Sequence, residues 1–296
     1  LARFVRAPFS PRASLDLDGI AEAAALAVRL LDNVTDLSRF PLEQQAQAAR
    51  GARRVGLGLT GLGDALIMLG RSYGSDAALA LAGEVMQTIC HSAYRASIEL
   101  AREKGAFPEF DREKYLQGRF IQSLPPDIRG AIARDGIRNS HLTAIAPTGT
   151  ISLLANNVSS GLEPVYRFEY RRRVREADGS LSEHAVTDYA YTLYRERHGE
   201  GALPPAFVTA ADVPPERHLD MQAALQPHVD SAISKTVNVP QDYGFERFRS
   251  LYEYAYSRGL KGCTTFRPNP VTGQVLLDNA DKPDAVHCCS VEREAD

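Results

Sequence analysis

The sequence predicts an α/β fold with helices packed outside a sheet or barrel, and three observations carry that prediction. Residues 232–239 form a β-branched run, Phe245–Ser257 repeats on a helical period, and residues 263–266 make a second short strand. Strand, helix of about a dozen residues, strand is a crossover unit that favours parallel pairing. The helix has a clean stop at Gly259. The apolar run 142–146 supports the same reading, an earlier strand that leads straight into a small, hydroxyl-rich turn.

In chain order, residues 16–34 put Ile20, Ala23, Ala24, Ala27, Val28, Leu31 and Val34 on one stripe, the mark of a core-facing helix with acidic residues in its first turn. Pro41 is expected to open a second helix. The run 53–64 carries Gly56, Gly58, Gly61 and Gly63. It lacks the preceding strand and the acidic residue about twenty positions later that a dinucleotide site needs, so close helix packing through glycine is expected. Ser75 and Asp76 cap a long helix that runs to about residue 104 and ends at Gly105, with Cys90 as a small core side chain. Shorter helices are expected over 111–117 and from Pro125-Pro126 to residue 135.

Residues 165–174 set Tyr166, Phe168 and Tyr170 against Arg167, Glu169 and Arg171, a period-two strand with a charged outer face. Asp178-Gly179 reads as the hairpin or loop after it. Helices follow over 188–198 and 216–225, separated by the proline connectors 203–205 and 213–215.

Of the 296 residues, 44% are hydrophobic and 24% charged, a soluble globular balance with material for one large domain or two ordinary ones. A net charge of -3 argues against a nucleic-acid polymer or an anionic membrane surface as partner. No stretch reaches the roughly 18 apolar residues of a membrane span and no signal peptide is visible, so a cytoplasmic protein is expected. Cysteines 90, 263, 288 and 289 are too few and too irregular for a disulfide framework, and the adjacent Cys288-Cys289 pair reads as incidental. The seven histidines are scattered, so no metal site is expected. The chain opens on Leu1 in mid-pattern and stops without a closing element, which reads as a piece of a longer protein.

The turn Pro147-Thr148-Gly149-Thr150-Ile151-Ser152 follows strand 142–146 and opens a short helical segment. Backbone N–H groups at a helix start lack partners and carry the positive end of the dipole, and hydroxyls add donors for phosphate oxygens. An anion site and a plain strand-to-helix turn both remain open on this local chemistry. A nucleotide P-loop is excluded, because no Lys follows the Gly and the spacing is too short.

Taken in order, six stretches resemble the catalytic α chain of ribonucleotide reductases, most closely the adenosylcobalamin-dependent class II enzymes. They are residues 53–64, Asn139-Ser140-His141, the 147–152 turn, Ser159-Ser160-Gly161-Leu162-Glu163-Pro164, residues 234–240, and residues 259–267. The resemblance implies half of a ten-stranded α/β barrel with outer helices, residues 1–276 being its C-terminal part and 277–296 a flexible, truncated tail. It implies that the turn holds the phosphates of a ribonucleotide substrate, making Pro147, Thr148, Gly149, Thr150, Ile151 and Ser152 the substrate-binding residues.

The same resemblance implies adenosylcobalamin as cofactor of the parent enzyme and a thioredoxin-type reductant as partner, with a homodimer one open outcome. Diphosphate substrates are expected by resemblance alone. No catalytic residue is expected in this chain. The family's radical cysteine, in an Asn-Pro-Cys-Gly-Glu loop, and its reducing cysteine pair should precede Leu1, so the chain by itself is expected to be inert. Thr264-Thr265 stand where class I enzymes carry a tyrosine pair, and threonines cannot relay a radical. The rival readings are a class I α chain with a separate radical-generating subunit, and an α/β phosphate-binding module without enzymatic activity.

Overall fold

The computed structural model describes residues 1–175, 180–267 and 276–277. Helices are α1 (Leu17–Leu37), α2 (Glu43–Ala52), α3 (Leu62–Met68), α4 (Asp76–Lys104), α5 (Arg112–Gln117), α6 (Arg119–Ser123), α7 (Pro126–Asp135), α8 (Gly149–Leu154), α9 (Tyr189–His198), α10 (Pro215–Leu225) and α11 (Phe245–Ser257). Strands β1 (Val5–Arg6) and β2 (Ser14–Leu15) pair antiparallel; so do β3 (Glu169–Arg175) and β4 (Leu181–Thr187), with β7 (Leu276–Leu277) on the other side of β3. Strands β5 (Thr236–Asn238) and β6 (Thr264–Phe266) pair in parallel across α11, as the crossover pattern requires.

The long helices start where their capping residues stand. Asp16 accepts the Gly19 amide at 3.1 Å and Ser75 accepts the Ala78 amide at 3.2 Å, each satisfying an amide that the helix cannot. Helix α4 is the spine: α1, α7 and α10 all pack on it. Its Val85, Met86 and Ile89 meet Leu66 of α3, Met221 of α10 and Ile145 in one core. Burying side chains of this size stabilises by about 1.5–3 kcal/mol each.

The sheet that positions the site is an open arc. Leu57 bridges Thr143 and Ile145 bridges Ile233, both in parallel, and the chain that carries Ile233 runs on into β5 beside β6. Hydrogen bonds from the Leu57 amide to Leu142 O (2.8 Å) and from the Ser234 amide to Ile145 O (2.8 Å) hold the arc together. Among the described residues the architecture is mostly helical, with small sheets and no closed barrel. The strands expected over 142–146 and 232–239 shrink to these bridges and to β5. Side chains explain part of this: Asp230 takes the Leu142 and Thr143 amides at 2.7 and 3.1 Å, so those donors never enter a ladder.

Other expectations need correcting. Helix α2 begins at Glu43 rather than at Pro41. The glycine-rich run is not all helix packing: Gly58 lies on the extended segment beside Ala144, where an added Cβ would sit 2.3 Å from the Ala144 carbonyl oxygen. Gly63 alone of the four sits inside a helix, α3, close against residues 159–165. Strand β3 begins at Glu169 rather than at Val165, whose carbonyl accepts the Ala210 amide instead. Strand β4 had no expectation, and Asp178-Gly179, Cys288-Cys289 and nearly all of the expected tail lie outside the described residues.

A buried ionic hub braces the entry to the arc. Asp32 of α1 accepts from Arg53 at 2.7 Å and from Asn139 at 3.1 Å, with Lys104 and Arg138 close by. Burial opposes its charge, yet Arg53, Lys104 and Arg138 outweigh that penalty and hold the carboxyl below its usual range. At the far end, Lys261 donates to the carbonyls of Val229, Asp230 and Ser231, tying the approach to β6 onto the arc.

Candidate functional site

The loop 147–166 leaves the arc after Ile145 and returns beneath it. Thr148 sits at φ 53°, in the left-handed region, and its carbonyl accepts the Ser152 amide at 2.9 Å to start α8. For a β-branched residue this conformation costs on the order of 1–2 kcal/mol and persists only when its surroundings hold it. Those surroundings are visible. The Thr148 hydroxyl accepts the Gly161 amide at 2.7 Å and donates to Thr60 Oγ1 at 3.3 Å, while Thr60 Oγ1 donates to Ser159 O at 2.8 Å.

Gly161 is itself at φ 52°, and an added Cβ would lie 2.9 Å from the Ala146 carbonyl oxygen. Both its conformation and its close approach require glycine. Asn156 and Asn157, also left-handed, complete the bend.

The six sequence-predicted residues therefore divide by role. The Thr148 and Ser152 hydroxyls are spent on the loop itself, Ser152 Oγ donating to Gly149 O at 2.9 Å and lying 3.2 Å from Ser160 Oγ. Pro147, Gly149, Thr150 and Ile151 are exposed. The amides of Gly149, Thr150 and Ile151 precede any acceptor within α8, so an incoming oxyanion would meet them, together with the Thr150 hydroxyl.

Behind the loop lies a charged cluster to which sequence reading assigned no role. Lys235, with a side chain 0% exposed, donates to Glu163 Oε2, to the Thr236 carbonyl and to His218 Nδ1 (2.9 Å). Glu163 Oε1 accepts the Thr236 amide at 2.7 Å. His218 Nε2 faces Ala210 O at 3.4 Å, so the ring is neutral, a donor there and an acceptor toward Lys235. Burial, reinforced by the Lys235 charge, pulls its pKa down to about 3. Burial likewise lowers Lys235, against the pull of Glu163.

A second pair anchors the start of the return. Asp64 of α3 accepts the Ser159 amide at 2.6 Å and the Ala190 amide at 3.1 Å, and Asp188 caps α9 through the Tyr191 amide at 3.0 Å. Burial, then the Asp64 charge, pushes Asp188 well above the usual carboxylate range.

A cavity of about 310 Å³, the size of a small-molecule site, opens beside the loop; Ser160, Glu163, Tyr166, Asp188, Asn238 and Phe266 are among its lining residues. None of residues 147–152 lines it. Ser160, which faces both Ser152 and the cavity, is the boundary between the two. The signal that could have found this cluster was Lys235, a lysine inside a β-branched run where a charge needs a partner. His218 carried no such signal.

Cys90 is buried in α4, where burial raises its thiol pKa, and Cys263 is half-buried with a thiol also raised by burial; neither lines the cavity. The Thr265 hydroxyl lies 3.3 Å from that of Tyr252. Among the described residues no cluster of His, Cys, Asp or Glu could hold a metal ion, and no helix is long and apolar enough to cross a membrane.

Comparison with known proteins gives this architecture a family. The chain is 36% identical over 291 residues to the vitamin B12-dependent ribonucleoside-diphosphate reductase of Mycobacterium tuberculosis (strain CDC 1551 / Oshkosh), an alignment covering 91% of this chain and 39% of that protein. It is 33% identical over 281 residues to the protein of the same name from Thermoplasma acidophilum, covering 88% and 34%. With the vitamin B12-dependent ribonucleotide reductase of Streptantibioticus cattleyicolor it shares 26% identity over 311 residues, covering 89% and 52%. The chain thus spans about half or less of these relatives. Residues 1–266 match the family described as "Ribonucleotide reductase, barrel domain", and the chain belongs to that family.

Proposed function

We propose that the full-length protein reduces ribonucleoside diphosphates to 2′-deoxyribonucleotides with a vitamin B12 cofactor, and that the present stretch is a catalytically inert part of it which supplies the phosphate-holding wall. The observation that carries the reading is the 147–152 loop, whose two internal hydroxyls are consumed in holding open a row of unpartnered amides. The names of the relatives supply the reaction. A thioredoxin-type reductant and a cytoplasmic site of action belong to the same proposal.

The residues of this chain bind and orient. Gly149, Thr150 and Ile151 would present neutral backbone donors to the phosphate oxygens, with the Thr150 hydroxyl as a further donor, and the dipole of α8 adds a small favourable field. The cavity beyond Ser160, walled by Tyr166 and Phe266, is of nucleoside size and would exclude water from the sugar. A corrin is too large for that cavity. No step is therefore derived through the cofactor, whose chemistry when bound is to start the radical reaction. Among the described residues, neither Cys90 nor Cys263 lines the cavity, so neither is placed to supply the thiyl radical.

The test is product chromatography with the full-length protein, adenosylcobalamin, a dithiol and a ribonucleoside diphosphate. Cobalamin-dependent deoxyribonucleotide is expected from the full-length protein and none from the 296-residue chain. Product from the short chain, or none from the full-length protein, overturns the proposal.

A further inference from the structure

Burying an ammonium group is costly unless every proton finds an acceptor, and apolar side chains of the same size usually fill such a space at least as well. Lys235 meets the first condition, its protons going to Glu163, Thr236 O and His218 Nδ1. What the charge does in return is hold one carboxylate. Glu163 is fixed at both oxygens to the same strand, Oε2 by Lys235 and Oε1 by the Thr236 amide.

From Glu163 the path to the loop is short. Its amide closes a turn onto Ser160 O at 2.8 Å; inside that turn stands Gly161, whose amide donates to the Thr148 hydroxyl. Thr148, held at φ 53°, thus shares a hydrogen bond with Gly161, two positions from Glu163.

We propose that Glu163, held by Lys235 and Thr236, is a positioning residue that sets the 147–152 loop through Gly161 and Thr148. Its bearing on the substrate rests on the phosphate reading above; the mechanical link does not. Glu163 touches no phosphate in this scheme, and because its side chain also lines the cavity, exchange over 152–155 is the readout specific to the loop. Glu163 acts on the loop from behind, and its effect should fall on substrate binding rather than on the cofactor.

The experiment compares the full-length protein with a variant carrying Lys235→Met and Glu163→Met, which removes both charges and keeps the volume, and with the milder Glu163→Gln. Hydrogen exchange is read over residues 152–155, with α4 as the internal reference, beside equilibrium binding of a ribonucleoside diphosphate and of adenosylcobalamin.

In the double variant, exchange over 152–155 should quicken about tenfold and the nucleotide Kd should rise about tenfold, with α4 protection and cobalamin binding unchanged. Glu163→Gln, which keeps the acceptor for Thr236, should fall between the two and decides the matter if the double variant does not fold. Exchange and nucleotide affinity both within about twofold of wild type in a folded variant would overturn the proposal. If the unaltered protein binds no nucleotide, the phosphate reading fails, and the exchange comparison still judges the clamp.

Discussion

The Gly161 amide donates to the Thr148 hydroxyl at 2.7 Å, and this bond reaches across the loop to a β-branched residue held at φ 53°. Replacing Thr148 with valine keeps the strain and removes the acceptor. With Ser152→Ala added, the loop also loses the bond to Gly149 O. An unmade bond of this kind costs about 1–3 kcal/mol, so the double variant of the full-length protein should bind a ribonucleoside diphosphate at least about tenfold more weakly, while cobalamin binding is unchanged. Thr148→Ser restores the acceptor and should stay near wild type. Unchanged nucleotide affinity in Thr148→Val/Ser152→Ala would count against the assignment of the loop.

Gly161→Ala attacks the same bond from its donor. The new methyl meets the Ala146 carbonyl oxygen at 2.9 Å, and the left-handed φ adds on the order of 1–2 kcal/mol of strain. Nucleotide affinity should fall and the melting temperature with it. A variant that melts and binds as wild type would show that the turn has room it is not expected to have.

His218 makes stability depend on pH. Its folded pKa, about 3, lies below the ordinary 6.5, so as pH falls through 6.5 the unfolded chain takes up a proton that the folded chain refuses. The stabilisation is complete above 6.5 and is lost between 6.5 and about 3. At pH 5 the loss from this group is about 2 kcal/mol. Asp64 and Asp188, raised by burial, act in the opposite direction, so the comparison must be made against His218→Gln, in which their contribution cancels. Urea unfolding at pH 7 and pH 5 should show a smaller acid loss in the variant; equal losses would rule out a buried neutral ring.

Asp32→Asn should be the most destabilising of these changes. It leaves the buried Arg53 guanidinium facing a neutral amide, with Asp36 as its remaining carboxylate partner and Lys104 and Arg138 nearby. Breaking a buried pair by removing one partner costs about 3–5 kcal/mol, to be read as a lower urea midpoint at unchanged slope.

The sequence by itself determined the long helices and the place of the loop. Asp16, Ser75 and Gly105 sit within a few residues of the ends they cap, and the apolar stripes of α1, α4 and α11 repeat within one element, so local chemistry was enough. The 147–152 turn was legible for the same reason, as a run of small hydroxyl residues after an apolar strand. Strands were less so, because Asp230 takes ladder donors at residues 142–143 from 88 and 87 positions away.

Tertiary structure alone decided what each side chain in the site does. The Thr148 and Ser152 hydroxyls looked like ligand donors, yet Thr148 meets Thr60 across 88 positions and Gly161 across 13. Glu163 and Lys235, 72 positions apart, become one ion pair only when the return of the loop packs against β5. Hydrogen bonds and charges act over a few ångströms of space and carry no mark in the chain of the partner they will find.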